Sequence, residues 1–193
     1  MTFRSAGMLA LAGLVAGTTP LYAAPPQASS RPVAAAGEPA ATLRIIADAL
    51  RRQGRIEYAG AMHDSADNSD WVNHFNVEAS NVTVGPARCR IGFHWTTGVD
   101  GKQVSDSDSS FDFATLQSVA LTSMEQDVNR LAADGGHPTW TGRVTPSIWV
   151  VTVTAANGSS TVADFRDYAL AEQIRNAMTR AGRLCAVESR NGK

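Results

Sequence analysis

Cys89 and Cys185 are the only two cysteines in a chain of 193 residues, and the start of that chain reads as a secretory signal. Arg4 gives a basic start, residues 6–17 form an apolar run, and residues 18–24 are a polar, helix-breaking end with small residues where a peptidase cuts. Export takes a protein where thiols oxidise, so two lone cysteines are expected to form one disulfide. A bond between residues so far apart ties the middle of the chain to its end. Few arrangements of strands and helices can satisfy it.

The apolar run of the signal is about a dozen residues, short of the roughly 20 needed to cross a bilayer, and no later segment is longer. No membrane span is expected. Residues 25–39, rich in Pro, Ala and Ser without apolar periodicity, read as a disordered linker. Residues 40–186 then form a single domain, and residues 187–193 a flexible tail. The expected location is the periplasm, with the extracellular medium as the alternative.

A formal net charge of −1 gives no electrostatic reason to bind nucleic acid. The sign is uneven along the chain, however. No Lys or Arg lies between Arg55 and Arg88, a window that holds Glu57, Asp64, Asp67, Asp70 and Glu78. The last segment carries Arg166, Arg175, Arg180, Arg183 and Arg190. An acidic end and a basic helix are expected.

Helical spacing of Leu43, Ile46, Ala47 and Leu50 predicts a short amphipathic helix over residues 42–52, with Thr42 as N-cap and Gly54 as stop. Strand signals follow at residues 56–62, 71–79, 89–97 and 102–107. In the second, Trp71, Phe75, Val77 and Ala79 share a face, with His74 and Glu78 on the other. In the third, Cys89, Ile91, Phe93 and Trp95 alternate with Arg90, Gly92, His94 and Thr96. Further strands are predicted at 116–124, 147–154 and 161–165, and residues 124–134 fit either strand extension or a short helix. The chain closes with a helix over 167–185 whose apolar stripe is Leu170, Ile174, Ala177, Met178, Ala181 and Cys185. The fold class is α+β: about seven antiparallel strands in a meander, as a two-sheet sandwich or open barrel, with a short N-terminal helix and a closing amphipathic helix.

This element order resembles the pleckstrin-homology-like fold. The resemblance implies two nearly orthogonal sheets and a last helix plugging one open end, so Cys89 on an inward strand face and Cys185 on the inward helix stripe would meet in one core. Lipid-binding members of that fold hold inositol phosphates with basic residues around the first hairpin. Here residues 62–70 read MHDSADNSD, which repels phosphate. No phosphoinositide is expected, and the resemblance leaves a scaffold for protein contacts, although fold alone is weak evidence of function.

Nucleophile elbows, phosphate-cradling loops, His-Glu-x-x-His and Cys-x-x-Cys are all missing from the sequence. Three groups remain. His74 and His94, on polar faces of successive strands, would share a zinc or a proton relay if the strands pair with those residues aligned. Asp106, Asp108, Ser110 and Asp112 have the alternation that opens a calcium loop, but Phe111 stands where the loop needs glycine. Residues 135–140, GGHPTW, display His137 and Trp140 on a glycine-hinged loop, and a displayed Trp is either a partner anchor or a lid on the core. The expectation is a non-enzymatic module binding another exported protein, as inhibitor, immunity partner or accessory factor. Its contact residues would be His137, Trp140, Asp64, Asp67 and Asp70, and it needs no cofactor. The alternatives are a small metal-dependent enzyme using His74 and His94, and a small-ligand carrier.

Overall fold

The computed structural model describes residues 38–86 and 89–191. The expected signal and all but the last two residues of the expected linker lie outside that range. The first helix, α1 (Glu38–Gln53), starts before the predicted cap. Pro39 in its first turn has no N–H to leave unsatisfied, and Thr42 is buried inside the helix, its hydroxyl donating to the Glu38 carbonyl at 3.0 Å. Leu43, Ile46, Ala47 and Leu50 are buried, as their spacing requires.

Eight strands form two open antiparallel sheets. The strands are β1 (Arg55–Asp64), β2 (Ser69–Gly85), β3 (Arg90–Val99), β4 (Lys102–Asp112), β5 (Leu116–Ser123), β6 (Trp140–Thr145), β7 (Trp149–Ala155) and β8 (Ser160–Phe165). Their order is β4-β3-β2-β1-β6 in one sheet and β5-β7-β8 in the other. Helix α2 (Met124–Asp134) follows β5, and α3 (Tyr168–Asn191) ends the described chain. The closing helix thus continues beyond the point where the sequence pattern ends it.

The meander is interrupted once, by β6, which begins at the last residue of the predicted 135–140 loop, where no strand is expected, and leaves the second sheet to pair with β1. Two local features explain this. Ser123 and Gln126 close a reciprocal capping box that starts α2 and settles the ambiguity at residues 124–134. Gly142 then lets α2 approach β6, since a Cβ there would lie 2.6 Å from Val128 and 2.9 Å from the Met62 sulfur. That glycine also interrupts the short alternation of Trp140 and Val144 that would have marked a strand.

One core joins both sheets and two helices. Ile91, Phe93 and Phe111 of the large sheet meet Val151, Val153 and Phe165 of the small one, and Leu43 and Ile46 of α1 meet Ile174 and Met178 of α3. A bulge between Ser80 and Thr83, with Asn81 at φ 51°, inserts one residue into β2. Its inward positions therefore change from Val77 and Ala79 to Val82 and Val84.

The disulfide joins Cys89 to Cys185, Cα to Cα 5.9 Å, across 96 positions. Cys89 does not sit on the strand itself. It ends the turn before β3 at φ 49°, its N–H donating to the Pro86 carbonyl and its carbonyl accepting from the Phe113 N–H. Both cysteines are buried in the common core. Closing so long a loop is worth about 4 to 5 kcal/mol in the chain-entropy account. The Cys89→Ser/Cys185→Ser variant is expected to lose about 4 kcal/mol in urea unfolding and to become insensitive to reductant, whereas the parent protein loses a similar amount when reduced. A loss under about 1 kcal/mol would show the bond to be incidental.

Candidate functional site

The ladder pairings show how the large sheet is divided. Pairing between β2 and β3 ends at Phe75 opposite Val99, whereas β2 begins at Ser69 and pairs with β1 from there to Glu78. Residues 69–74 therefore extend past β3 and β4 by about 20 Å, at roughly 3.3 Å per residue. Beside them run β1 and, beyond it, β6, and at His74 the β3–β4 turn, whose Asp100 N–H donates to the His74 carbonyl and whose carboxylate accepts the His74 N–H. This three-stranded projection carries every residue proposed from sequence as a partner contact.

The register sets Asp64 opposite Trp140. The Trp140 indole N–H donates to Asp64 Oδ2 at 2.8 Å, Trp71 meets Trp140 edge to face at 5.2 Å, and His137 stacks on Trp140 at 3.9 Å. Ser65 ties the hairpin tip to the other loop, its backbone N–H and its hydroxyl both donating to the Thr139 carbonyl. The acidic loop and the glycine-hinged loop, read separately in the sequence, are one structure. Trp140 is half-buried against Trp71 and His137 and belongs to neither core cluster, so it is not a lid on the core. The Asp64 carboxyl lies below its usual range, first because the Ala66 N–H donates to it, with the Thr139 and Trp140 side chains adding to the effect. Asp67 caps the turn by accepting from the Ser69 N–H, and Asp70 pairs with His63 Nδ1 at 2.9 Å. On the outer side a groove of about 420 Å³ is lined by Ala61, Met62, Trp71, Val72, Thr141 and Arg143, among others. Val72 in it is 55% exposed.

The same register separates the two histidines. His94 lies opposite Ser80, six positions along β2 from His74, which pairs instead with Ala59. They stand about 20 Å apart along the sheet and cannot share a ligand. Among the described residues, no group of three or more His, Cys, Asp and Glu side chains is placed to hold a metal ion. The calcium-like run is not a loop either. Asp106, Asp108, Ser110 and Asp112 lie along β4, where alternate side chains stand in a row instead of converging on one point.

That row has another use. His94 is held between two carboxylates, with Asp106 2.6 Å from Nε2 and Asp108 3.0 Å from Nδ1. The His94 pKa lies above its ordinary value, raised first by the Asp108 hydrogen bond, offset in part by burial, and raised further by the charges of both aspartates. Residues 102–108 of β4 are exposed, so this clasp and the backbone ladder replace apolar burial there.

One buried titratable group was not legible in the sequence. Asp164 on β8 is 3% exposed, its Oδ1 has no hydrogen-bond partner, and the Gln53 amide at the end of α1 donates to its backbone carbonyl. Burial lifts its carboxyl to about 7. Tyr58 is lifted to about 12, by burial and then by the Asp164 charge. The interior between sheets and helices, where a carried ligand would sit, is filled by Phe93, Phe111, Phe113, Phe165, Ile174 and Met178.

Comparison of the chain with protein-family models, with curated proteins and with solved structures finds no match. Among the described residues, no helix is long and apolar enough to cross a membrane.

Two pH effects follow, with opposite origins. Asp164 is protonated in the folded protein up to about pH 7 but ionises near 3.9 when unfolded. Stability therefore falls as pH rises through that window, by on the order of 4 kcal/mol at about 1.4 kcal/mol per pKa unit. Asp164→Asn is expected to flatten that fall and to be more stable than the parent at pH 8 in urea titrations; an equally steep profile would contradict the assignment. For His94, the stabilising contribution is complete below the unfolded value near 6.5 and is lost as pH rises through the higher folded value. In NMR titration, Asp108→Asn should lower the His94 midpoint toward 6.5. An unchanged midpoint would show that Asp108 does not set it.

Proposed function

We propose that the protein is an exported binding module that acts in the periplasm by holding another protein against the projecting end of its large sheet. The observation that supports this reading most is the Trp71–Trp140–His137 stack. Aromatic side chains of this size ordinarily serve a core, and here they are built onto an extension outside it, beside the exposed Val72 groove. Large, rigid aromatics next to a polar rim are what concentrates binding energy at protein interfaces.

The rim narrows the class of partner. Asp64 accepts from the Trp140 indole and Asp67 caps the hairpin tip next to it, while Asp70, paired with His63, lines the groove together with Arg143. A partner with an apolar anchor and a basic border fits this surface by charge and by shape. The clustering of conformational support at the other end is consistent with such a role, because the disulfide and both terminal helices fix the base while the projection stays accessible. Inhibitor, immunity partner and accessory factor all remain uses of one such surface.

A photo-crosslinker at Asp67 in the exported protein is expected to give one discrete protein adduct. The same group at Asn157, which lines a groove with Arg90 and Asp112 at the other end of the sheet, should give none. Trp140→Ala should lower the Asp67 adduct at least tenfold, in line with the loss of about 2 kcal/mol or more at an interface hot spot, while NMR dispersion of the core residues shows that the base remains folded. No adduct at Asp67, or equal adducts at both positions, would contradict the proposal.

A further inference from the structure

The two edges of the large sheet are treated differently, and the difference points to a second binding surface that does not depend on the aromatic end. At the β6 edge, α2 supplies side chains in place of a neighbouring strand. Asn129 donates to the Gly142 carbonyl at 3.1 Å and accepts the Gly142 N–H at 2.7 Å, and Glu125 accepts the Val144 N–H at 3.2 Å. That edge is sealed.

At the β4 edge nothing comparable exists. Among the described residues, the one group outside β3 that hydrogen-bonds a β4 carbonyl is the Thr161 hydroxyl, at Ser110 near the far end of the strand, 3.2 Å away. Residues 102–108 are exposed throughout, in a strand of 11 residues with no proline and with Lys102 as its single lysine. Edge strands are usually blunted by shortness, lysines, prolines, bulges or a covering element. β4 has one bulge, at Val104 between Gln103 and Ser105, and beyond it a one-sided charge row. Asp106 and Asp108 stand on the face shared with His94, while Ser105, Ser107 and Ser109 take the opposite face.

That pattern selects the occupant. A second copy pairing antiparallel through its own β4 about Ser107 would set Asp106 directly against Asp108, and like charges in cross-strand positions repel. An apolar strand would meet carboxylates on one face and serines on the other, with Val104 at the bulge as the one large exposed apolar side chain of residues 102–108. A strand with Lys or Arg at every second position would set its cations beside Asp106 and Asp108 and small polar residues beside the serines. We infer that the open edge of β4 accepts an extended basic peptide segment of another protein as an added sixth strand of the sheet. Backbone hydrogen bonds give the affinity, and the alternation of charge gives the selection.

The test uses the mature, oxidised protein and a labelled decapeptide of alternating Lys and Thr, blocked at both ends, in fluorescence anisotropy at low salt. Binding is expected, with backbone amide shifts in NMR centred on residues 102–108. Complete N-methylation of the peptide backbone, which keeps the charge but removes strand pairing, should weaken binding at least tenfold. Asp106→Asn/Asp108→Asn in the protein should weaken it to a similar degree, and a Glu-Thr decapeptide should not bind. The inference is overturned if the methylated peptide binds within twofold of the parent, since attraction would then be charge alone. Shifts centred on Trp71 and Trp140 would overturn it as well, as would no binding up to millimolar peptide.

Discussion

The disulfide between Cys89 and Cys185 is the constraint on which the remaining geometry depends. It joins the turn that starts β3 to the inward stripe of α3, so the last helix cannot leave the sheets without opening a covalent loop. Ile174, Met178 and Ala181 on that stripe pack into a core with Phe93 and Phe111, and α1 lies against the same helix, with Arg180 paired to Glu38. The left-handed conformation of Cys89 costs on the order of 1 kcal/mol for a residue with a Cβ. Two backbone hydrogen bonds and the bond to α3 hold it there.

With the base of the molecule fastened in this way, the large sheet can extend one end beyond its core. Residues 69–74 of β2 run past the end of the β3 ladder with β1 and β6 beside them, meeting the β3–β4 turn at His74. Stability of that end rests on local contacts: the Trp71 and Trp140 rings, the Asp64 to indole hydrogen bond, and α2 lying against Gly142. A segment held by few buried apolar contacts opens at lower free energy than the core. Binding surfaces are drawn from such segments.

Much of the architecture was legible because it follows from periodicity. The inward faces of β3 and α3 follow directly from alternation at Ile91, Phe93 and Trp95 and from helical spacing at Ile174, Met178 and Cys185. What escaped was set by residues that act across the chain. Gly142 breaks the alternation of β6 because α2 needs the space, and no local pattern shows that need. Ser123 and Gln126 did carry a readable cap signal for α2. Asp164 sits in a short strand among Ala163 and Phe165, and only the tertiary fold shows that both faces there are covered. The proposed pairing of His74 with His94 failed for a similar reason, since composition gives the polar face of each strand but not the register between them. The acidic tip and the GGHPTW loop, by contrast, were each visible, and the structure supplied their adjacency.

The division between a stapled base and a projecting, locally supported end is the claim that the functional reading rests on. Amide hydrogen exchange of the oxidised protein followed residue by residue tests it most directly. The account predicts that Ile91, Phe113, Ile174 and Met178 exchange only through global unfolding and accelerate when the disulfide is reduced. Residues 69–74 should exchange far faster through local opening, with rates indifferent to reduction. Equal protection at both ends, or acceleration of residues 69–74 in step with the core on reduction, would contradict it.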